Sequence, residues 1–176
     1  MKNLKYIITG APGTGKTSII NELEKRRFYC VHENAREIIA EQIVNGGNIL
    51  PWKNQIAFEK KIANLRVKHY LSSPRESVCF FDRSVIDCIA YLKSNNLEIS
   101  AEIIKNVKIT CFNNTVFYTP LWEDIYLRDN ERKEDIKEAR KIEKNILDTY
   151  QSQGYKLVEI PKTSVIERTN FIISNI

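Results

Sequence analysis

No stretch of this 176-residue chain approaches the roughly 20 consecutive apolar residues that cross a bilayer, and MKNLKYIITG at its start runs into a segment only one strand long. No leader or anchor is visible, so no membrane insertion is expected. The four cysteines, Cys30, Cys79, Cys88 and Cys111, contain no Cys-x-x-Cys pair, and three lie within or beside apolar segments. That pattern excludes a disulfide scaffold and points to reduced thiols in a cytoplasmic setting. Internal repeats, low-complexity tracts and Ser/Pro-rich linkers are missing, which leaves one domain over residues 1–176. A concentrated basic stripe is missing too. The net charge of +5 comes from Lys and Arg scattered among Glu and Asp, as on solvated helix faces, so no nucleic-acid partner is expected.

What is there is an alternation. Short β-rich segments at Leu4–Thr9, Phe28–Glu33, Val78–Asp82, Thr115–Thr119 and Tyr155–Ile160 are separated by stretches of helical period, the sign of a mainly parallel sheet covered on both faces by helices. A first helix carries Ile19, Ile20 and Leu23 on one face. A second, from Asn34, turns Ala35, Ile38, Ile39 and Ile43 inward and stops at Asn45-Gly46-Gly47-Asn48. A third spans about Trp52 to Leu71, and two shorter ones cover Val85 to Leu92 and Ala101 to Val107. The strongest late pattern, Ile136 to Tyr150, ends at Gly154, and Ser164-Val165-Ile166-Glu167 reads as a capping box opening the last helix.

Between the first strand and the first helix lies Gly10-Ala11-Pro12-Gly13-Thr14-Gly15-Lys16-Thr17, which fits GxxxxGK[ST]. Phosphate oxygens need several backbone N–H groups at close range, and glycine permits both the torsions and the approach. Three of the six glycines are spent here. The helix N-terminus adds its dipole, Lys16 reaches the β- and γ-phosphates, and the Thr17 hydroxyl ligates Mg²⁺, with Ser18 next in line. The motif thus predicts a nucleoside triphosphate held with Mg²⁺. No Asn-Lys-x-Asp guanine reader is present, so ATP is expected before GTP, though GTP is possible.

A second metal carboxylate is expected at the end of an apolar strand, where Val78-Cys79-Phe80-Phe81-Asp82 supplies Asp82. The competing reading makes Asp82 the cap of the helix at Ser84. Arg83, next to it, contacts phosphate or locks a carboxylate, or else forms a surface ion pair.

Taken together, the glycine loop, His32-Glu33-Asn34-Ala35-Arg36, Phe81-Asp82-Arg83-Ser84 and a later arginine-rich segment resemble the small P-loop kinases. The likeness is strongest to a group of predicted ATPases labelled AAA-type, relatives of the ribosylnicotinamide kinase and deoxynucleoside kinase families. The resemblance covers nearly the whole chain, and only the glycine loop in it is highly specific. It implies a three-layer P-loop NTPase fold with a five-stranded parallel sheet in the order 2-3-1-4-5, with Glu33 and Asp82 on neighbouring strands facing the transferable phosphate.

From the same resemblance Glu33 is the first candidate for general base and Asp82 the second, although Asn34 stands where those relatives often carry proline. It implies a lid at about 120–135, in which Arg128 and Arg132 close over the phosphates; an exposed helix with internal ion pairs is the alternative. It places Trp52, Gln55 and Phe58 where an acceptor pocket would be lined, with core packing as the competing role. Arg36 is a candidate for an acceptor phosphate, and the adenine is expected beside Thr163 and Ser164. The functional expectation is an ATP-dependent kinase acting on a hydroxyl of a small nucleoside- or nucleotide-like metabolite, as a monomer or homodimer. The alternative is a nucleotide-dependent switch or binding module with slow ATP or GTP hydrolysis.

Overall fold

The computed structural model describes residues 3–123 and 136–176. Five strands, β1 (Lys5–Thr9), β2 (Tyr29–Val31), β3 (Cys79–Asp82), β4 (Thr115–Tyr118) and β5 (Lys156–Glu159), pair in parallel in the order β2-β3-β1-β4-β5. Among the described residues, six helices fill the crossovers, α1 (Lys16–Lys25), α2 (Ala35–Val44), α3 (Gln55–Ser72), α4 (Val85–Ser94), α5 (Ala101–Ile109) and α6 (Ile136–Ser152), and α7 (Val165–Ile173) follows β5.

Because side chains alternate across a strand, β1 feeds two cores at once. Tyr6 and Ile8 join Ile19, Ile20 and Leu23 of α1, Phe80, Phe117 and Ile172 of α7 on one face. Ile7 joins Ile86, Ala90, Val116, Ile142, Ile146 and Tyr150 beneath α4 and α6 on the other. A third cluster, built on Phe58 and Ile62 of α3 with Val85, Cys88, Ile89, Leu92 and Ile103, fixes α3 against α4 and α5. Each fully buried Ile or Leu contributes about 1.5–3 kcal/mol of hydrophobic free energy.

Two expectations shift. Ile43 points outward, 58 % exposed, and Val44 is 84 % exposed, because the core reaches only the first half of α2, where Ile38 is buried. The third helix starts at Gln55 rather than Trp52, because the Asn54 side chain accepts the Ala57 N–H at 3.1 Å and caps it there. The capping box at Ser164 and Glu167 forms as the sequence predicts. All four cysteines are free: Cys79 and Cys88 are buried, Cys30 is half-buried and Cys111 is exposed.

The register sets up the site. Ile8 lies beside Asp82 and Val31 beside Phe81, so the carboxyl ends of β1, β2 and β3 finish level with one another. The glycine loop, Glu33 and Asp82 therefore emerge at one edge of the sheet, where open α/β sheets place their ligands.

Candidate active site

The loop from Gly10 to Thr17 closes over its own lysine. Lys16, only 6 % exposed, directs Nζ at the main-chain oxygens of Gly10 at 3.1 Å and Ala11 at 2.7 Å. Gly10, Gly13 and Gly15 have φ of 138°, 79° and 83°, torsions that other residues rarely adopt. At Gly10 the requirement is also spatial, because a Cβ there would lie 2.4 Å from the Thr119 carbonyl oxygen. Thr119 is the strut behind the loop: its N–H donates to Thr9 O at 2.9 Å and its hydroxyl pairs with that of Thr14 at 2.5 Å. Thr17 and Ser18 are exposed in the first turn of α1. Gly15 caps that helix with no side-chain acceptor, which leaves the first amides to an anion.

Beside the loop sits a buried network of charges. Glu33 is held by two arginines: Arg66 Nη2 donates to Oε1 at 2.9 Å and Arg83 Nε donates to Oε2 at 2.7 Å. Burial alone would raise the Glu33 pKa, but Arg83, Arg66 and Lys16 together hold it below the usual carboxylate range. Arg83 turns its Nη1 to Asp87 at 3.2 Å, and its backbone sits at φ 74°, a left-handed position that costs a long side chain energy. Of the readings open to Arg83, the structure shows the lock on a carboxylate: it bonds two.

Asp82 does not cap α4. Ser84 does, accepting the Ile86 N–H at 3.1 Å, while the Asp87 carboxylate accepts the Ser84 N–H at 2.8 Å to close a capping box. Asp82 is 5 % exposed, and its Oδ1 is buried with no hydrogen-bond partner among the described residues. Burial, with Glu33 nearby, raises its pKa to about 6 against the pull of Lys16 and Arg83. Lys16 in turn is lowered to about 7 by burial and by Arg83.

A cleft opens between the ends of β2 and β3 and the inner face of α3. Glu33, Arg66, Asp82 and Arg83 stand along it, and His69 and Phe112 line it too. Trp52, Gln55, Phe58 and Arg36 do not line it. Phe58 packs in the core beside Ile62 and Val85. Gln55 binds the end of α4, donating to Tyr91 O at 3.3 Å and accepting from Asn95 at 2.6 Å. Trp52 is half exposed in the turn before α3, and Arg36 is exposed at the start of α2. Arg128 and Arg132 lie outside the described residues.

Arg66, Glu59 and Asp87 belong to this network without having been singled out in the sequence. Arg66 interrupts the apolar row Phe58, Ile62, Arg66 at intervals of four, a signal for a buried, paired cation. Asp87 completes the pattern Ser-x-x-Asp, which marks a capping box. Glu59 gave no such signal.

A family model described as AAA domain matches residues 5–168. No curated protein matches significantly. Among solved structures, deoxyadenosine kinase from M. mycoides, with products dCMP and a flexible dCDP bound, superposes with a TM-score of 0.70 at 16 % identity over 97 % of each chain. Thymidylate kinase from Ehrlichia chaffeensis gives 0.67 at 11 % identity over 99 % of each chain. Thymidylate kinase from Candida albicans gives 0.67 at 13 % identity over 99 % of this chain and 91 % of that one. At such identities the likeness establishes the fold, that of P-loop kinases.

Proposed function

Since the chain belongs to the AAA domain family, we propose that it transfers a phosphoryl group from a nucleoside triphosphate, ATP before GTP, to a hydroxyl of a small nucleoside- or nucleotide-like metabolite. One arrangement carries the reading: Lys16 of the glycine loop, the arginine-clamped Glu33 and the buried Asp82 converge at the carboxyl ends of three adjacent strands.

The loop amides and the α1 terminus bind the triphosphate, and Lys16 exchanges the loop carbonyls for phosphate oxygens. Phosphate charge returns the lysine from about 7 toward its ordinary protonated range, since burial, the main cause of the lowering, is then compensated. Thr17 and Asp82 would hold Mg²⁺, a role that fits the unpartnered buried oxygen of Asp82. Bound there, the ion neutralises charge on the β- and γ-phosphates.

Glu33 acts on the acceptor. Each of its oxygens takes one arginine N–H and keeps a lone pair, so it accepts a hydrogen bond from the attacking hydroxyl and takes up that proton late, as the new O–P bond forms and the nucleoside diphosphate leaves, with Asp82 the second candidate for the proton. Its low basicity suits a loose transition state, in which positioning matters more than early proton removal. Arg66 and Arg83 fix the direction of that carboxylate.

The test is ADP release against a panel of nucleosides, nucleotides and sugars. One acceptor accelerates it many-fold over water, Lys16→Ala abolishes it, and Glu33→Gln lowers kcat by about tenfold or more. Slow hydrolysis with every acceptor, together with an unchanged rate in Glu33→Gln, overturns the reading.

A further inference from the structure

Arg168 has no place in the mechanism above, yet it reaches the glycine loop. It lies one turn into α7, is 3 % exposed, and donates from Nη2 to the Thr14 main-chain oxygen at 2.9 Å. Its Nε is buried without a hydrogen-bond partner among the described residues. Burial shifts its pKa downward, and no acid among the described residues offsets it. The buried Arg83 and the partly buried Arg66 are treated differently: both pair with Glu33. An interior guanidinium that no acid among the described residues pairs is costly, and here the cost falls directly against the loop.

The contact has a geometric effect. Across a trans peptide the C=O and the following N–H point in opposite directions. Holding the Thr14 oxygen toward α7 therefore turns the Gly15 N–H away from α7, to the opposite side of the loop. Gly15 permits this with φ 83°, and it is the residue that opens α1. With no carboxylate against it among the described residues, the cation also leaves positive potential behind the loop, where it attracts a polyphosphate.

We propose that Arg168 is a positioning residue for nucleotide binding, pinning the Thr14–Gly15 peptide so that the Gly15 amide donates to a phosphate oxygen. The proposal rests on reading the loop as a phosphate site. Arg168 touches the loop backbone, and Gly15 touches the ligand.

The experiment uses the full chain and ADP. Calorimetry gives Kd for the wild type, Arg168→Met and Arg168→Lys, melting without nucleotide reports folding, and NMR follows the Gly15 amide during titration. In the wild type the Gly15 resonance moves downfield on saturation. Arg168→Met, which keeps an unbranched apolar stem but no donor, weakens ADP by about tenfold or more and shrinks that shift, and Arg168→Lys, which keeps a donor group and the charge, restores most of both. A folded Arg168→Met that binds ADP within about twofold of wild type overturns the proposal. So does a wild-type Gly15 amide that ignores saturating ADP, a readout that holds even if Arg168→Met does not fold. Wild-type protein that binds no ADP instead overturns the nucleotide-site reading and takes this inference with it.

Discussion

Glu59 shows how a single side chain can carry a pH dependence. It is 5 % exposed on α3, and burial raises its pKa to about 7, offset in part by Arg66 and by its hydrogen bond to Cys88. An acid bound more tightly to its proton in the folded state stabilises fully below its unfolded pKa, and that stability is lost as pH rises through the folded value. Glu59→Gln, which never ionises, is therefore expected to melt several degrees above wild type at pH 8, with the gap closing below pH 4.5, the group's ordinary value. Melting curves at the two pH values decide it; a gap that does not change with pH counts against the assignment. At this scale the strand-loop-helix setting of the glycine loop was legible, because its residues are consecutive. The Glu33 network was not. Its members stand at positions 33, 66 and 83, with Asp87 and Tyr150 beyond, and only folding brings them together.

At the scale of elements, α4 and α6 are joined through one carboxylate. Asp87 accepts from the Tyr150 hydroxyl of α6 at 2.6 Å, from Arg83 at 3.2 Å, from the Ser84 N–H at 2.8 Å and from the Thr9 hydroxyl of β1. Its pKa is lowered, the arginines Arg83 and Arg66 and these hydrogen bonds outweighing burial. Asp87→Ala leaves a buried guanidinium and three further donors short of an acceptor, and should cost roughly 3–5 kcal/mol. Denaturant titration checks this, and a loss below about 1 kcal/mol would show the hub to be dispensable. Helix positions were legible from apolar spacing, with errors at ends that side chains set. Asn54 delays α3, and the outward tail of α2 carries Ile43, which spacing alone would bury.

For the whole molecule, a ligand that binds only the folded form stabilises it by RT ln(1 + [L]/Kd), about 2.7 kcal/mol at a hundredfold excess over Kd. In a chain of this size that is a rise in melting temperature of roughly 5–10 °C. ATP with Mg²⁺ should produce it, and Lys16→Ala should remove it. No shift with any purine triphosphate would count against the phosphate site. The parallel class was readable from the alternation of strands and helices, whereas the strand order came from resemblance, since spacing along a chain does not say which strands become neighbours.

The unequal exposure of the four thiols gives the protein a chemical handle. Cys79 and Cys88 are shielded, and burial pushes the half-buried Cys30 up to about 12, far from the reactive thiolate. A maleimide dye should therefore attach first at Cys111, just ahead of β4, whose opposite end runs on into Thr119 behind the glycine loop. A fluorophore there stands at the far end of β4 from the glycine loop but between Thr110 and Phe112, which line the cleft, so its emission would report on a molecule entering beside Glu33.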